Sequence, residues 1–304
     1  MMTIVSEPTI TETRTGRPVG ATRKRRRRPP RIGRVFAFLG LLVLGVSTIY
    51  PFVFLIETAF KTRGAYLADR LSFPIPPTLD NFQAVFTSGN IGLYVLNSVI
   101  VVVLGTAITV VLGSMAGFAF SLIPFPFSQT LLRVVMAIMI LPVTVLIIPI
   151  FKVVLDIGLI DTHAGLVLVY VGLSLPFATF MMSSYFTALP SEIIDAARID
   201  GCNTWRLFWS IAIPVAKPAF LTLSSFTFLN LWNDLLFALL ILQSPDKRTL
   251  PVAISLLRGS VERPDLIQDT VVAAGVLVSA VVPFVLFVLF NRSITSGLTA
   301  GALK

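Results

Sequence analysis

Apolar residues in this chain gather into six stretches, near 35–59, 92–119, 130–152, 164–187, 218–242 and 271–290. A hydrocarbon core about 30 Å thick takes about 20 predominantly apolar helical residues to cross. Inside it the backbone must satisfy its own N–H and C=O groups, which helices do. Each stretch is long enough, so the pattern predicts an all-α integral membrane protein with six transmembrane helices. With 55% apolar residues, 13% charged residues and a mean hydropathy of +0.89, the chain lies outside the range of soluble globular domains. An even number of spans puts both termini on one side.

Charge selects the side. Ten of the 24 Lys and Arg precede position 35, against only Glu7 and Glu12 there, so this arm carries nearly all of the net +9. A basic run directly before an apolar span, Arg23 to Arg28 here, retains that end in the cytoplasm. Nucleic acid is therefore not the expected partner; membrane lipid is. The expected topology divides Lys and Arg sixteen inside to eight outside, but six to eight without the arm, so the arm alone sets the orientation. Residues 1–34 read as a disordered basic cytoplasmic arm. The apolar stretch after it is too long for a signal-peptide core and is followed by no small-x-small cleavage site, which predicts an uncleaved first span. The remainder, 35–304, reads as one transmembrane domain of a multi-pass membrane protein with cytoplasmic N- and C-termini.

Several chemistries drop out. Cys202 is the only cysteine and His163 the only histidine, so no internal disulfide, zinc cluster or Cys/His pair is expected, and no catalytic or metal-binding residue is assigned. A phosphate-binding loop needs a Gly-Lys pair, and none of the six lysines follows a glycine. The chain is expected to bind no cofactor and to hydrolyse no ATP.

Between the spans, 61–91 and 243–270 are expected outside and 189–217 inside. Gly113 and Gly117 in the second span would allow close helix packing. Pro142 and Pro149 should kink the third. In the inner segment, Ser191 is a candidate N-cap and Glu192 lies in the first turn of a short helix to about Asp200. Gly201 can take the left-handed conformation that ends it, Asn203 or Thr204 can cap a second helix, and Pro214 and Pro218 limit that one. Ala196 and Ala197 are small enough for close contact with a partner, with Asp195, Arg198 and Asp200 to fix orientation. Read from the residues alone, this is a docking element or an amphipathic surface loop.

The run Asp195-Ala-Ala-Arg-Ile-Asp-Gly201, followed by Ile211-Ala-Ile-Pro214, resembles the EAA signature of permease subunits in bacterial ABC importers. Asp195 stands where that family usually has Glu. Leu231-Trp-Asn-Asp-Leu235, Arg248-Thr-Leu-Pro-Val252 and Gly297-Leu-Thr-Ala-Gly-Ala-Leu303 resemble the carbohydrate-uptake group, in particular its maltose-type second permease. Pro74 to Phe86 and Tyr94 to Ser98 also resemble that group.

The resemblance implies a type I ABC importer permease fold in which the 189–217 loop, with Ile213 and Pro214, couples to an ATPase. It implies four partners: a second homologous permease, two nucleotide-binding ATPase subunits that use ATP and Mg, and an extracytoplasmic solute-binding protein. The implied cargo is a sugar or oligosaccharide, with a polyol phosphate or another polar solute as the alternative. An ion-coupled secondary transporter would carry more intramembrane charges.

In the fifth span Ser224, Thr227, Asn230, Asn233 and Asp234 are spaced as one polar stripe, which belongs against a neighbour or an aqueous cavity. Asn230, Asn233 and Asp234 can hydrogen-bond sugar hydroxyls and Trp232 can stack on a sugar ring. A structural network serves the stripe equally well.

Overall fold

A computed structural model describes residues 31–87, 90–256 and 269–300. The arm through residue 30, the last three residues of the terminal motif and Lys304 fall outside the described residues. The described residues contain helices and no strand. Two compact units divide the chain at Tyr50. The first contributes, among described residues, only the opening part of helix α1, Arg31–Ala59. Arg31 to Arg34 are therefore helical, not the end of an arm.

In the second unit the segment after α1 carries two short helices, α2 (Arg63–Ala68) and α3 (Asp80–Thr87). A buried polar knot organises them. Lys61 is fully buried and donates to the Arg70 carbonyl at 2.8 Å. Asn81 donates to the carbonyls of Ala59 and Lys61 at 2.8 and 2.7 Å. The two Asn81 bonds occupy carbonyls at and just past the end of α1 that have no intrahelical partner, and the Lys61 cation there suits the helix dipole.

Next come α4 (Ile91–Leu122), α5 (Ser128–Ile138), a 3₁₀ turn at Val143–Leu146 running into α6 (Ile147–Asp156), and α7 (His163–Thr187). α8 (Ser191–Ile199) and α9 (Thr204–Leu207) follow, then a π turn and α10 (Ile213–Val215). The chain continues through α11 (Lys217–Trp232), α12 (Leu236–Ile241), α13 (Leu250–Leu256) and α14 (Asp269–Ala300).

Four helices are long and apolar enough to cross a membrane: Phe38–Ala59 of α1, α4, α7 and Asp269–Val288 of α14. Two bent pairs raise the number to six, if each pair counts as one span.

Those pairs sharpen one expectation and correct another. The third span, expected to kink at Pro142, is not one helix over 130–152; Ser128–Ile138 and Val143–Asp156 meet at 90°. Pro142 explains the break, since it lacks an N–H and disfavours helical geometry at the residue before it. Nor is the fifth span a helix over 218–242. α11 ends at Trp232, and the bent pair is Thr204–Val215 with Lys217–Trp232, at 78°. At 16 residues, α11 reaches only about 24 Å.

α4 and α7 run parallel and in close contact. Gly113 lies against Ala178 and Gly117 against Met182 and Ser183; a Cβ on Gly113 would collide with the alanine methyl, and one on Gly117 would come within 2.7 Å of the Ser183 backbone nitrogen. The G-x-x-x-G pair thus serves packing inside this chain. Two apolar clusters flank it. One joins Val101, Leu166, Tyr170 and Trp232 to Ile254 and Ala274; the other joins Phe118, Met182 and Phe186 to the segment after α7.

At the end where α4 and α7 begin, residues 241–250 are clasped to both. Asp161, in left-handed backbone geometry, accepts from the Gln243 and Ser244 N–H groups at 2.9 Å, from the Ser244 hydroxyl, and from Lys247 Nζ at 3.0 Å. Asn97 donates to the carbonyls of Asp246 and Arg248, and Ser98 Oγ accepts from Leu250 N at 2.8 Å. This fixes the start of α13.

Hydrogen bonds from the Ser244 hydroxyl, the Ser244 N–H and Lys247 outweigh partial burial and hold the Asp161 carboxyl well below the usual carboxylate range. A folded pKa below the unfolded value of about 3.9 contributes stability that is complete above that pH and declines as pH falls toward the folded value. Asp161→Asn should therefore melt a few degrees lower than wild type at neutral pH, and the gap should narrow as the medium is acidified below about pH 4. Thermal unfolding in detergent across pH tests this; a gap independent of pH would deny the carboxylate its role in the clasp.

Candidate functional site

The segment between α7 and α11 is built as a rigid block. Pro190, not Ser191, occupies the N-cap position of α8, and no side chain caps that end. The expected Ser191 cap is thus absent, because Ser191 already lies in the first turn. Glu192 sits in that turn as expected.

The other end follows the sequence reading. Gly201 adopts a φ of +74°, Cys202 N–H bonds to the Ala197 carbonyl and Gly201 N–H to that of Arg198, the paired bonds of a Schellman C-cap. Asn203 then caps α9 by accepting from Arg206 N–H at 2.8 Å. α9 is not stopped by Pro214, which sits inside the following helical turn; the sharp change of direction falls at Ala216, just before Pro218.

Which side chains face inward is decided by α8's amphipathicity. Ile194 and Ala197 are buried, with Leu207, Phe208 and Ala212, against Phe118, Met182 and Phe186. The Phe118 ring packs edge-on to Phe186 and Phe208, at 5.7 and 5.1 Å. Arg198 donates to the Leu122 carbonyl at 3.2 Å, tying α8 to the end of α4.

The paired alanines therefore part company: Ala197 is core, and only Ala196 is exposed with Asp195, Arg198 and Asp200. Ile213 is half-buried and Pro214 exposed. The outward face also carries large apolar groups that sequence reasoning did not single out: Ile199 at 85% exposure, Trp205 at 61% and Trp209 at 50%. Two tryptophans four residues apart between Asn203 and Pro214 were the signal available for them.

At the opposite end of α11, the structure redistributes the polar stripe. Thr227 is buried, whereas Asn230 and Asn233 are exposed. Each asparagine amide donates back to its own helix, Asn230 to Phe226 at 2.9 Å and Asn233 to Leu229 at 2.7 Å.

Asp234 lies in the break between α11 and α12. Its Oδ2 accepts from Tyr170 Oη at 2.9 Å and from Ala238 N–H at 3.0 Å, so it caps α12 and ties it to α7. Tyr170 has no sequence signal as a partner, being 64 residues away.

Trp232 is 1% exposed, stacks on Phe228 with centroids 5.8 Å apart, and donates from Nε1 to the Ser279 carbonyl at 3.3 Å. That arrangement corrects the expectation that its ring face is open to a sugar. The apolar stacking partner is supplied from its own helix, one turn earlier. A cavity of about 560 Å³ opens beside Trp232 and Asn233, walled by α13 and α14. Among the described residues no group of three His, Cys, Asp or Glu side chains is placed to hold a metal ion.

Comparison with known proteins adds identity to this geometry. Residues 109–295 match the family described as binding-protein-dependent transport system inner membrane component. The sulfoquinovosyl glycerol transport system permease protein SmoH of Agrobacterium fabrum is 31% identical over 273 residues, covering 90% of this chain and 94% of that one. The trehalose transport system permease protein SugB of Mycobacterium tuberculosis is 33% identical, covering 88% and 97%. The diacetylchitobiose uptake system permease protein NgcG of Streptomyces coelicolor is 31% identical, covering 87% of each.

In fold, the chain superposes with a TM-score of 0.75 on a chain of a bacterial ABC transporter involved in the import of alginate, at 21% identity and covering 86% and 97%. The chain therefore belongs to the family of binding-protein-dependent transport system inner membrane components.

Proposed function

We propose that the chain is one of two permeases forming the path of an ATP-driven sugar or oligosaccharide importer. The observation that carries this reading is the 189–217 block, which buries one face in its own subunit and presents Ala196, charged groups and large apolar side chains outward. In this reading the block lies in the cytoplasm, with both termini, and docks on an ATPase subunit. Two such ATPases use ATP and Mg, this chain binds neither, and a second homologous permease and an extracytoplasmic solute-binding protein complete the assembly.

Work then reaches this chain mechanically. A block with a Schellman cap at one end of α8 and an aromatic cluster beneath it transmits displacement, where a loose loop would absorb it. The carbohydrate cargo is supported by the relatives, whose names specify trehalose, diacetylchitobiose and a sulfoquinovosyl glycerol. The path in this subunit runs along the exposed amides of Asn230 and Asn233, with Asp234 holding the α11–α12 break in place.

Three experiments test these assignments. Gly201 has open space around its Cα but a φ of +74°, so a β-branched side chain meets backbone strain and no clash. The strain costs about 1–2 kcal/mol, enough for roughly a tenfold change in a conformational equilibrium. Gly201→Val should assemble with its partners yet lose most uptake per ATP hydrolysed in proteoliposomes; full coupling would refute the mechanical role of the turn.

Asp234→Ala strands the Tyr170 hydroxyl and the Ala238 N–H, at about 1–3 kcal/mol, and should reduce the yield of assembled complex. Normal assembly with normal uptake would remove Asp234 from path and scaffold alike. For the cargo, a thermal-shift screen of the cognate binding protein should find a sugar that raises its melting temperature. Response to an amino acid and to no carbohydrate would overturn the assignment.

A further inference from the structure

The cavity beside α11 sets polar groups among apolar walls. Its α14 wall is one helical face, Val272, Val276, Ser279, Ala280 and Pro283, spaced to point the same way. Ser279 is the only polar side chain on that face. Ser121, Thr222 and Ser225 turn their hydroxyls back to a carbonyl of their own helix, whereas Thr106, Thr109 and Ser114 bury theirs in α4 without a partner. Ser279 is half-buried on the cavity wall, and among the described residues its hydroxyl has no partner either.

Opposite it, Asn233 spends one amide N–H on Leu229, which leaves its carbonyl oxygen and a second N–H. Ser255 donates to the Val252 carbonyl, leaving its oxygen able to accept.

We propose that this cavity is a carbohydrate subsite within the subunit, taking one sugar ring of the cargo as it passes, with Asn233, Ser255 and Ser279 as its polar contacts. The inference rests on the sugar-importer reading. About 560 Å³ lies within the usual range for small-molecule sites and accommodates a pyranose ring with water to spare. A pyranose has apolar C–H faces and a rim of hydroxyls that both donate and accept. Val272, Val276 and Ile254 suit the faces; the amide and two hydroxyls suit the rim.

The clasp on residues 241–250 fixes α13, and with it Ser255, relative to α4 and α7. The wall is therefore formed before a ligand arrives.

Because Cys202 is the only cysteine, accessibility can be read at a single thiol. The complete importer with its binding protein is reconstituted with Cys202→Ser and Ser279→Cys, and in parallel with Cys202→Ser and Ser255→Cys. A water-soluble methanethiosulfonate is applied during ATP turnover, with and without the sugar that the binding-protein screen identifies.

The expected result is modification at both positions, slowed several-fold by the sugar, and a several-fold fall in uptake rate for Ser279→Leu, which removes the hydroxyl and narrows the cavity. Three results overturn the subsite. One is a thiol that the reagent cannot reach in an importer that still transports, meaning that lipid or a neighbouring helix fills the space. Another is modification indifferent to sugar, and a third is unaltered uptake by Ser279→Leu. If the parental importer carries another solute and no carbohydrate, the functional reading falls first and the subsite with it.

Discussion

The contact between α4 and α7 is the joint to which the other elements of the second unit are fitted. In lipid no hydrophobic force drives helices together, and close packing must supply what water exclusion supplies elsewhere. Gly113 and Gly117 allow it by removing the side chains that would hold the backbones apart. The parallel pair then offers two ends of different character. One receives residues 241–250 through polar bonds to Asn97, Ser98 and Asp161. The other receives the 189–217 block through aromatic packing on Phe118 and two polar ties, from Arg198 to the Leu122 carbonyl and from the Tyr185 hydroxyl to the Val215 carbonyl.

These two attachments differ in what they tolerate. A polar clasp has defined partners and one register, since a displaced donor is left unsatisfied at a cost. An aromatic and aliphatic seat is held by shape instead, and its close-packed side chains move with the surface above them. The arrangement places the attachment set by donor and acceptor register beside the cavity and the one set by packing beneath the outward-facing block.

Much of this was legible in the sequence because it depends on local chemistry. Span length, the left-handed Gly201, the Asn203 cap and the break at Pro142 each follow from a few adjacent residues. The fifth span misled because apolar residues continue past Asn233 and Asp234 to Leu242, so composition alone gives no reason to stop a helix at Trp232. The reason is tertiary: Asp234 is held by Tyr170, and the backbone after it restarts as α12.

Likewise Trp232 looks the same in sequence whether its ring meets a sugar or Phe228, and the segment 61–91 reads as a loop until Lys61 and Asn81 are seen gathering the end of α1. Asp161 and Ser244 lie 83 residues apart, and one sequence carries no trace of that pairing.

The divided fate of Ala196 and Ala197 has a consequence for reading related sequences. At 197 the limit on size is internal, because Ala197 is buried within the apolar cluster of its own subunit and a larger side chain would have to displace part of it. At 196 this subunit imposes no such limit, and any restriction on size must come from a surface outside it. Two neighbouring alanines with the same letter in an alignment are therefore under separate jurisdictions. Substitutions tolerated at 196 would report the shape of any surface that covers it, while those tolerated at 197 would report the shape of this fold.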